Sequence, residues 1–190
     1  MEPFGKALFL DRDGVVNREI GYLWQPEHTE FTAGIFDLCR VAQERGYKLI
    51  ILTNQSGIAR QLYSEEDFHA FMLWMSLQFK QQHVDLDGYY YCPHHPEHGK
   101  GRYRTDCADR KPNPGMLLRA AEDHLVGLSQ SIFIGDRCSD ACAGAAVSIG
   151  TMILMQDADS PSCPCKKFHT RIANLLDAIP FLIPSADAEP

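Results

Sequence analysis

The chain has 190 residues, 45% hydrophobic and 23% charged, with a net charge of −7, which allows one domain with a sizeable core and an ordinary globular composition. The negative balance excludes binding of long nucleic acid through a concentrated basic surface, whereas a small phosphorylated molecule needs only a few local cations. No apolar run approaches the ~20 residues that span a bilayer, and residues 1–6 lack the basic-then-apolar plan of a signal peptide, so a cytoplasmic protein with no membrane or nucleic-acid partner is expected.

The first predicted strand, Lys6–Leu10, runs directly into Asp11-Arg12-Asp13-Gly14. Ile35–Arg45 has helical periodicity through Ile35, Leu38, Cys39 and Ala42 and ends before Gly46, a good C′ residue. Tyr47–Thr53 is nearly all apolar, as in a strand buried on both faces of a parallel sheet. Ser64 followed by Glu65, Glu66 and Asp67 caps a helix reaching about Gln82, with Phe68, Phe71, Met72, Met75 and Phe79 as its core stripe. Gly88–Cys92 is a further strand, and Pro114-Gly115 opens a helix to about His124. Ser131–Gly135 is a strand, Asp140–Val147 a helix, Thr151–Leu154 the last strand and Arg171–Ala178 a last helix. This alternation predicts a three-layer α/β domain with a central parallel sheet, a single domain over residues 1–184 with a disordered tail at 185–190. Two stretches break the alternation, the His- and Gly-rich loop 93–112 and the segment around Cys163-Pro164-Cys165. A long loop inside a compact domain is usually functional or stapled.

Polar groups gather where predicted strands end. Asp11 and Asp13 follow the first, and Thr53-Asn54-Gln55-Ser56-Gly57 the second. Arg110-Lys111 closes the long loop, and Asp136-Arg137-Cys138-Ser139-Asp140 follows the short strand after it. The strand-end edge is where open α/β sheets bind ligands. Two acids one residue apart, a hydroxyl, two cations and a second pair of acids suit phosphoryl transfer, which depends on positioning and charge stabilisation. Asp11 and Asp136 are candidates to hold Mg²⁺, which prefers oxygen. Asp11 would attack phosphorus, Asp13 would serve as acid and then base, and Thr53 and Lys111 would hold the phosphoryl oxygens.

Asp-x-Asp-Gly, then Thr, a later Lys and Gly-Asp-x-x-x-Asp together resemble the four motifs of the haloacid dehalogenase superfamily of aspartate-nucleophile phosphatases. Within it, the stretches Phe9–Gly14, Thr53–Arg60, Tyr90–Pro96 and Arg110–Met116 are similar to the D-glycero-D-manno-heptose-1,7-bisphosphate 7-phosphatases. Histidinol-phosphate phosphatases are the close relatives, typically with Asp where this chain has Ser56. The resemblance implies a Rossmann-like fold without a large cap domain, an active Mg²⁺-dependent phosphatase acting on a small phosphorylated sugar, and a monomer. It implies Asp11 as nucleophile, Asp13 as acid/base, Thr53 and Lys111 as phosphoryl stabilisers, and Asp11, Asp136 and the Asp13 carbonyl as Mg²⁺ ligands. Glu19, Gly21, Tyr22, Asn54, Gln55, Ser56, Arg110 and Arg137 would line the substrate site.

The resemblance also implies a structural Zn²⁺ in the long loop, held by a Cys-x-His and a Cys-x-Cys pair. This chain has Cys92-x-His94 and Cys107-x-Asp109, with a carboxylate in the fourth place although structural zinc favours sulfur and nitrogen. Three arrangements are open: Asp109 ligates, His95 or His98 replaces it, or the loop is metal-free. Cys163, Cys165 and His169 read as exposed groups rather than a second metal site, and Cys39, Cys138 and Cys142 as small packed residues. With no export signal, the seven cysteines read as thiols or metal ligands, not as a disulfide framework. Val15 replaces the usual Thr without chemical consequence. Gln61, where the heptose family usually has Gly, and Ile20 bear on substrate identity.

Overall fold

The computed structural model describes residues 5–155 and 170–183; the Cys163-Pro164-Cys165 segment, His169 and the tail 185–190 lie outside them. Strands β1 (Lys6–Leu10), β2 (Tyr47–Asn54), β3 (Gly88–Cys92), β4 (Ile132–Gly135), β5 (Thr151–Met155) and β6 (Thr170–Ile172) form one parallel sheet in the order β3-β2-β1-β4-β5-β6. Helices α1 (Ile35–Glu44), α2 (Ser56–Ala59), α3 (Glu65–Gln81), α4 (Gly115–His124) and α5 (Cys138–Ala146) complete the three layers.

Strand alternation splits the core in two. Leu8, Leu10, Leu49, Ile51, Ile132 and Ile134 pack with Leu38 of α1 and with Phe68, Phe71, Met75 and Phe79 of α3. Ala7, Phe9, Ile50, Leu52 and Phe133 pack with Met116, Leu117 and Ala120 of α4 and with Ala141 and Ala143 of α5. Both faces of the sheet are covered, which is why its strands read as unbroken apolar runs. Each fully buried Phe or Leu contributes about 1.5–3 kcal/mol relative to exposure. The predicted capping serine of α3 is in place and forms a reciprocal box with Asp67: Ser64 Oγ accepts from the Asp67 N–H at 3.0 Å and Asp67 Oδ2 accepts from the Ser64 N–H at 2.8 Å. Such a cap is worth about 1 kcal/mol.

Three expectations are corrected. The predicted helix Arg171–Ala178 is instead β6 followed by a 3-10 helix, Leu175–Phe181. Thr170–Ile172 pairs with Ile153–Met155, so these residues complete the sheet edge, and Pro180 prevents an α-helical continuation. Helix α5 starts at Cys138 rather than Asp140, because Asp140 Oδ2 accepts from the Arg137 N–H at 2.9 Å and makes Arg137 the N-cap. Cys138 is disulfide-bonded, whereas Cys39, Cys92 and Cys107 are thiols. The departure of Gln61 from glycine also gains a backbone meaning. Its φ is 63°, in the left-handed region that glycine enters without steric cost.

The strand order makes β1 the central switch point, with β2 on one side and β4 on the other. Leu10 is in register with Ile51 and with Ile134, so the residues that follow all three strands emerge side by side. No helix among the described residues is long and apolar enough to cross a membrane.

Candidate active site

Asp11 continues β1 by one hydrogen bond, its N–H donating to the Ile134 carbonyl at 2.9 Å, and its side chain is buried at the sheet edge. Lys111 enters from the long loop. That loop is fastened to the end of β2 by two bonds, Lys111 N–H to Asn54 Oδ1 at 3.1 Å and Asn54 Nδ2 to the Lys111 carbonyl at 3.0 Å. Lys111 Nζ then lies 2.7 Å from Asp11 Oδ1, 2.6 Å from Asp140 Oδ1 and 2.9 Å from the Leu52 carbonyl. Burial alone would lower the Lys111 pKa, but Asp11 and Asp140 hold it above the ordinary lysine value. Asp140, the second acid of the Gly-Asp-x-x-x-Asp motif, which the sequence assigns neither a metal-ligand nor a catalytic place of its own, is thus part of the charge cluster. Asp136 lies in the turn after β4 and Asp140 in the first turn of α5, so the short connection brings both acids to the same edge.

Asp11, Asp136 and Asp140 bring one carboxylate oxygen each within 4.8 Å of one another. Burial pushes Asp11 well above the usual carboxylate range, Lys111 opposing and Asp140 and Asp136 adding to the rise. Asp136 is pushed up to about 6 by burial and by Asp140, with Arg137 opposing. Asp136 Oδ1 is buried with no hydrogen-bond partner. An all-oxygen set with an excess of negative charge and an unpartnered oxygen fits Mg²⁺. Gly14 makes room for it: its φ is +86°, and a Cβ there would sit 2.3 Å from Asp136 Oδ2.

These groups open into a cavity of about 470 Å³. Its wall includes Asp11, Asp13, Thr53 and Lys111 together with Glu19, Gly21, Tyr22, Asn54, Gln55, Ser56, Arg110 and Arg137. All the residues proposed from sequence as catalytic or substrate-lining are therefore brought together. Gly57, Tyr63, Ser139 and Asp140 also line the cavity and were not singled out as lining residues. Tyr63 lies in a segment that read only as the approach to α3, and it turns inward to donate its hydroxyl to Gln55 Oε1. Glu19 and Arg137 close one side of the cavity, with Arg137 Nη2 2.7 Å from Glu19 Oε2, while Glu19 Oε1 accepts from the Gly21 N–H at 2.7 Å.

The long loop holds a second cluster. Ligand atoms of Cys92, His94 and Cys107 lie within 4.8 Å of one another, and burial, reinforced by Cys107, pushes the Cys92 thiol up to about 12. Asp109 does not join them: its Oδ2 pairs with Arg119 Nη2 of α4 at 3.0 Å. In this arrangement the Asp109 carboxylate lies with a guanidinium rather than with the two sulfurs. His95 Nδ1 is occupied as acceptor for the N–H groups of Glu97 and His98. The cluster touches the cavity wall directly, because Arg110 Nη1 donates to the His94 carbonyl at 3.0 Å.

Residues 20–168 match the family described as Polynucleotide kinase 3 phosphatase. The chain is 45% identical to a D-glycero-alpha-D-manno-heptose-1,7-bisphosphate 7-phosphatase of Burkholderia mallei over 184 residues, 96% of this chain and 97% of that protein. It is 44% identical to a D-glycero-beta-D-manno-heptose-1,7-bisphosphate 7-phosphatase of Vibrio cholerae over 79% of this chain and 81% of that one. Among solved structures, a D,D-heptose 1,7-bisphosphate phosphatase from B. bronchiseptica, complexed with magnesium and phosphate, superposes with a TM-score of 0.78 at 26% identity, covering 93% of this chain and 97% of that one. Strand order, carboxylate cluster and these similarities agree, and the chain belongs to the heptose-1,7-bisphosphate 7-phosphatase family of haloacid dehalogenase-type phosphatases.

Proposed function

We propose that this protein removes the 7-phosphate from D-glycero-D-manno-heptose 1,7-bisphosphate and leaves heptose 1-phosphate for surface-glycan biosynthesis. The observation that carries the chemistry is the buried contact of Asp11 with Lys111, both lining the cavity with Asp13, and the approach of Asp136 to Asp11. Near-full-length similarity to phosphatases of that substrate supports the choice of sugar.

Asp11 attacks phosphorus in line, the bond from phosphorus to the sugar oxygen breaks, and Asp13 gives its proton to the departing alkoxide. Water then attacks the phosphoryl group on Asp11, Asp13 takes a proton back, and Asp11 is restored with release of inorganic phosphate. Lys111 and Thr53 hold phosphoryl oxygens throughout, and Asp140 fixes the ammonium of Lys111. Asp11, Asp136 and the Asp13 carbonyl would hold Mg²⁺, with Asp140 adjacent; the ion, when bound, neutralises phosphate charge. Arg110 and Arg137 supply cations at the wall for the phosphate that is retained. The cytoplasmic, monomeric state expected from sequence belongs to the same reading.

Phosphate release from both anomers of the bisphosphate and from histidinol phosphate, with Mg²⁺ present, tests the substrate. A preference of at least about tenfold for one bisphosphate anomer is expected; faster turnover of histidinol phosphate rejects the assignment. Each tenfold preference corresponds to about 1.4 kcal/mol of transition-state binding.

Cys92, His94 and Cys107 are proposed to hold a structural Zn²⁺, two sulfurs and a nitrogen being a fitting set. Because Arg110 is bonded to the His94 carbonyl, loosening this loop displaces both Arg110 and Lys111. Removing zinc with a strong chelator and then restoring Mg²⁺ should leave turnover at least about tenfold lower. Full turnover after verified metal loss would disprove the coupling.

A further inference from the structure

We propose that Arg12 is a positioning residue for the proton transfers at Asp13, gripping that carboxyl group from within the core; the proposal rests on the phosphatase reading above. Arg12 stands between the two acids of the first motif, and its side chain is fully buried. A guanidinium stays charged at any working pH, and a buried charge is costly unless it is paired and hydrogen-bonded.

Nearly all of the pairing of Arg12 is with Asp13. Its Nε and Nη2 lie 3.1 and 2.9 Å from Asp13 Oδ1, and Nη2 is also 2.8 Å from Oδ2. Nη2 donates in addition to the Leu23 carbonyl at 2.8 Å. The guanidinium carbon sits 5.2 Å from the centre of the Phe71 ring and 5.8 Å from that of Phe68, within reach of a cation–π attraction. Nη1 is buried with no hydrogen-bond partner. The core therefore keeps a charged side chain that is incompletely satisfied, and what that side chain reaches is the proton-transfer group.

The rest of the Asp13 environment completes the grip. Asn17 Nδ2 donates to Oδ1 at 3.0 Å, and Gln55 Nε2 lies 3.3 Å from Oδ2. Gln55 is itself fixed between the Tyr63 hydroxyl and Thr53 Oγ1. A carboxyl group held at both oxygens from three directions cannot rotate away from the cavity that it lines. The fork of an arginine places two nitrogens, Nε and Nη2, on the carboxyl group in a fixed plane, whereas a lysine offers one nitrogen on a flexible stem.

The test separates positioning of a proton donor from general support of the fold. A sugar alkoxide needs a proton as it leaves, whereas 4-nitrophenolate departs without one. Release of the alcohol is followed in single turnovers with enzyme in excess and Mg²⁺ present, so that only the bond-breaking step is read. The substrates are a sugar phosphate that the wild type turns over and 4-nitrophenyl phosphate. For Arg12→Gln, release from the sugar ester should slow by about 100-fold or more, and release of 4-nitrophenol by less than about threefold. Arg12→Lys, which keeps the charge and loses the fork, should show the same selectivity at about tenfold, and it decides the question if Arg12→Gln does not fold. Equal slowing of both esters, or no slowing on the sugar ester, overturns the proposal. A wild type that releases neither alcohol rejects the phosphatase reading and this one with it. A wild type that acts on sugar phosphates other than the heptose changes the substrate assignment alone.

Discussion

Asp11→Asn should reduce phosphate release by at least about 10⁴-fold, the scale seen when a covalent nucleophile is deleted, with binding of the bisphosphate largely kept. The amide matches the carboxylate in shape but cannot form an acyl phosphate. The loss should not reflect misfolding. Asp11 is buried, and burial already disfavours its charged form, so a neutral side chain relieves desolvation, while Lys111 keeps its ion pair with Asp140. Steady-state phosphate release, together with near-ultraviolet circular dichroism, checks both halves. Residual turnover above about 1% of wild type in a folded variant would remove Asp11 from the role of nucleophile.

Lys111→Met should have the second-largest effect, and on two quantities at once. Methionine fills a comparable volume, but Asp11 and Asp140 are then buried without their shared cation. Breaking a buried ion pair from one side costs about 3–5 kcal/mol, so metal-free protein should unfold at markedly lower denaturant concentration. Turnover should fall by about 10³-fold, as when a fixed donor to the reacting oxygens is lost. Mg²⁺ in the millimolar range should restore part of the stability, because a cation that binds only the folded state stabilises it by mass action, and should restore little of the turnover. Denaturant curves with and without Mg²⁺, alongside kinetics, test this. A variant as stable as wild type without metal would mean that Lys111 does not neutralise the acid cluster.

Asp11 and Asp13 at the end of an apolar strand were legible in the sequence, while the proposed nucleophile role of Asp11 came from the order of all four motifs and the family that they resemble. Strands β1 and β2, helices α1 and α3 and the capping serine Ser64 were equally legible, since hydrophobic period and cap chemistry act over a few residues. The predicted lining residues meet in one cavity because each follows a strand, and a parallel sheet brings such ends to a common edge.

Other features depended on contacts between distant parts of the chain. Thr170–Ile172 has no strand signal of its own and becomes β6 by pairing with β5. Asp109 sits at a zinc-ligand position in the sequence and turns instead to Arg119, which the fold brings within 3.0 Å. The motif gives Asp140 no partner, and the fold supplies one in Lys111 from the long loop, while Tyr63 becomes part of the site only by reaching Gln55. Periodicity by itself pointed to the fold class and to the residues at the strand ends, because these follow from short-range propensity, and their inventory to phosphoryl transfer; the phosphatase reaction came with the resemblance of the four motifs to a known superfamily. Only the tertiary structure decided which charges are paired, which carboxylates lie within reach of one another and which buried cation contacts Asp13, because burial and distance set electrostatic strength, and both arise from packing between segments far apart in the chain.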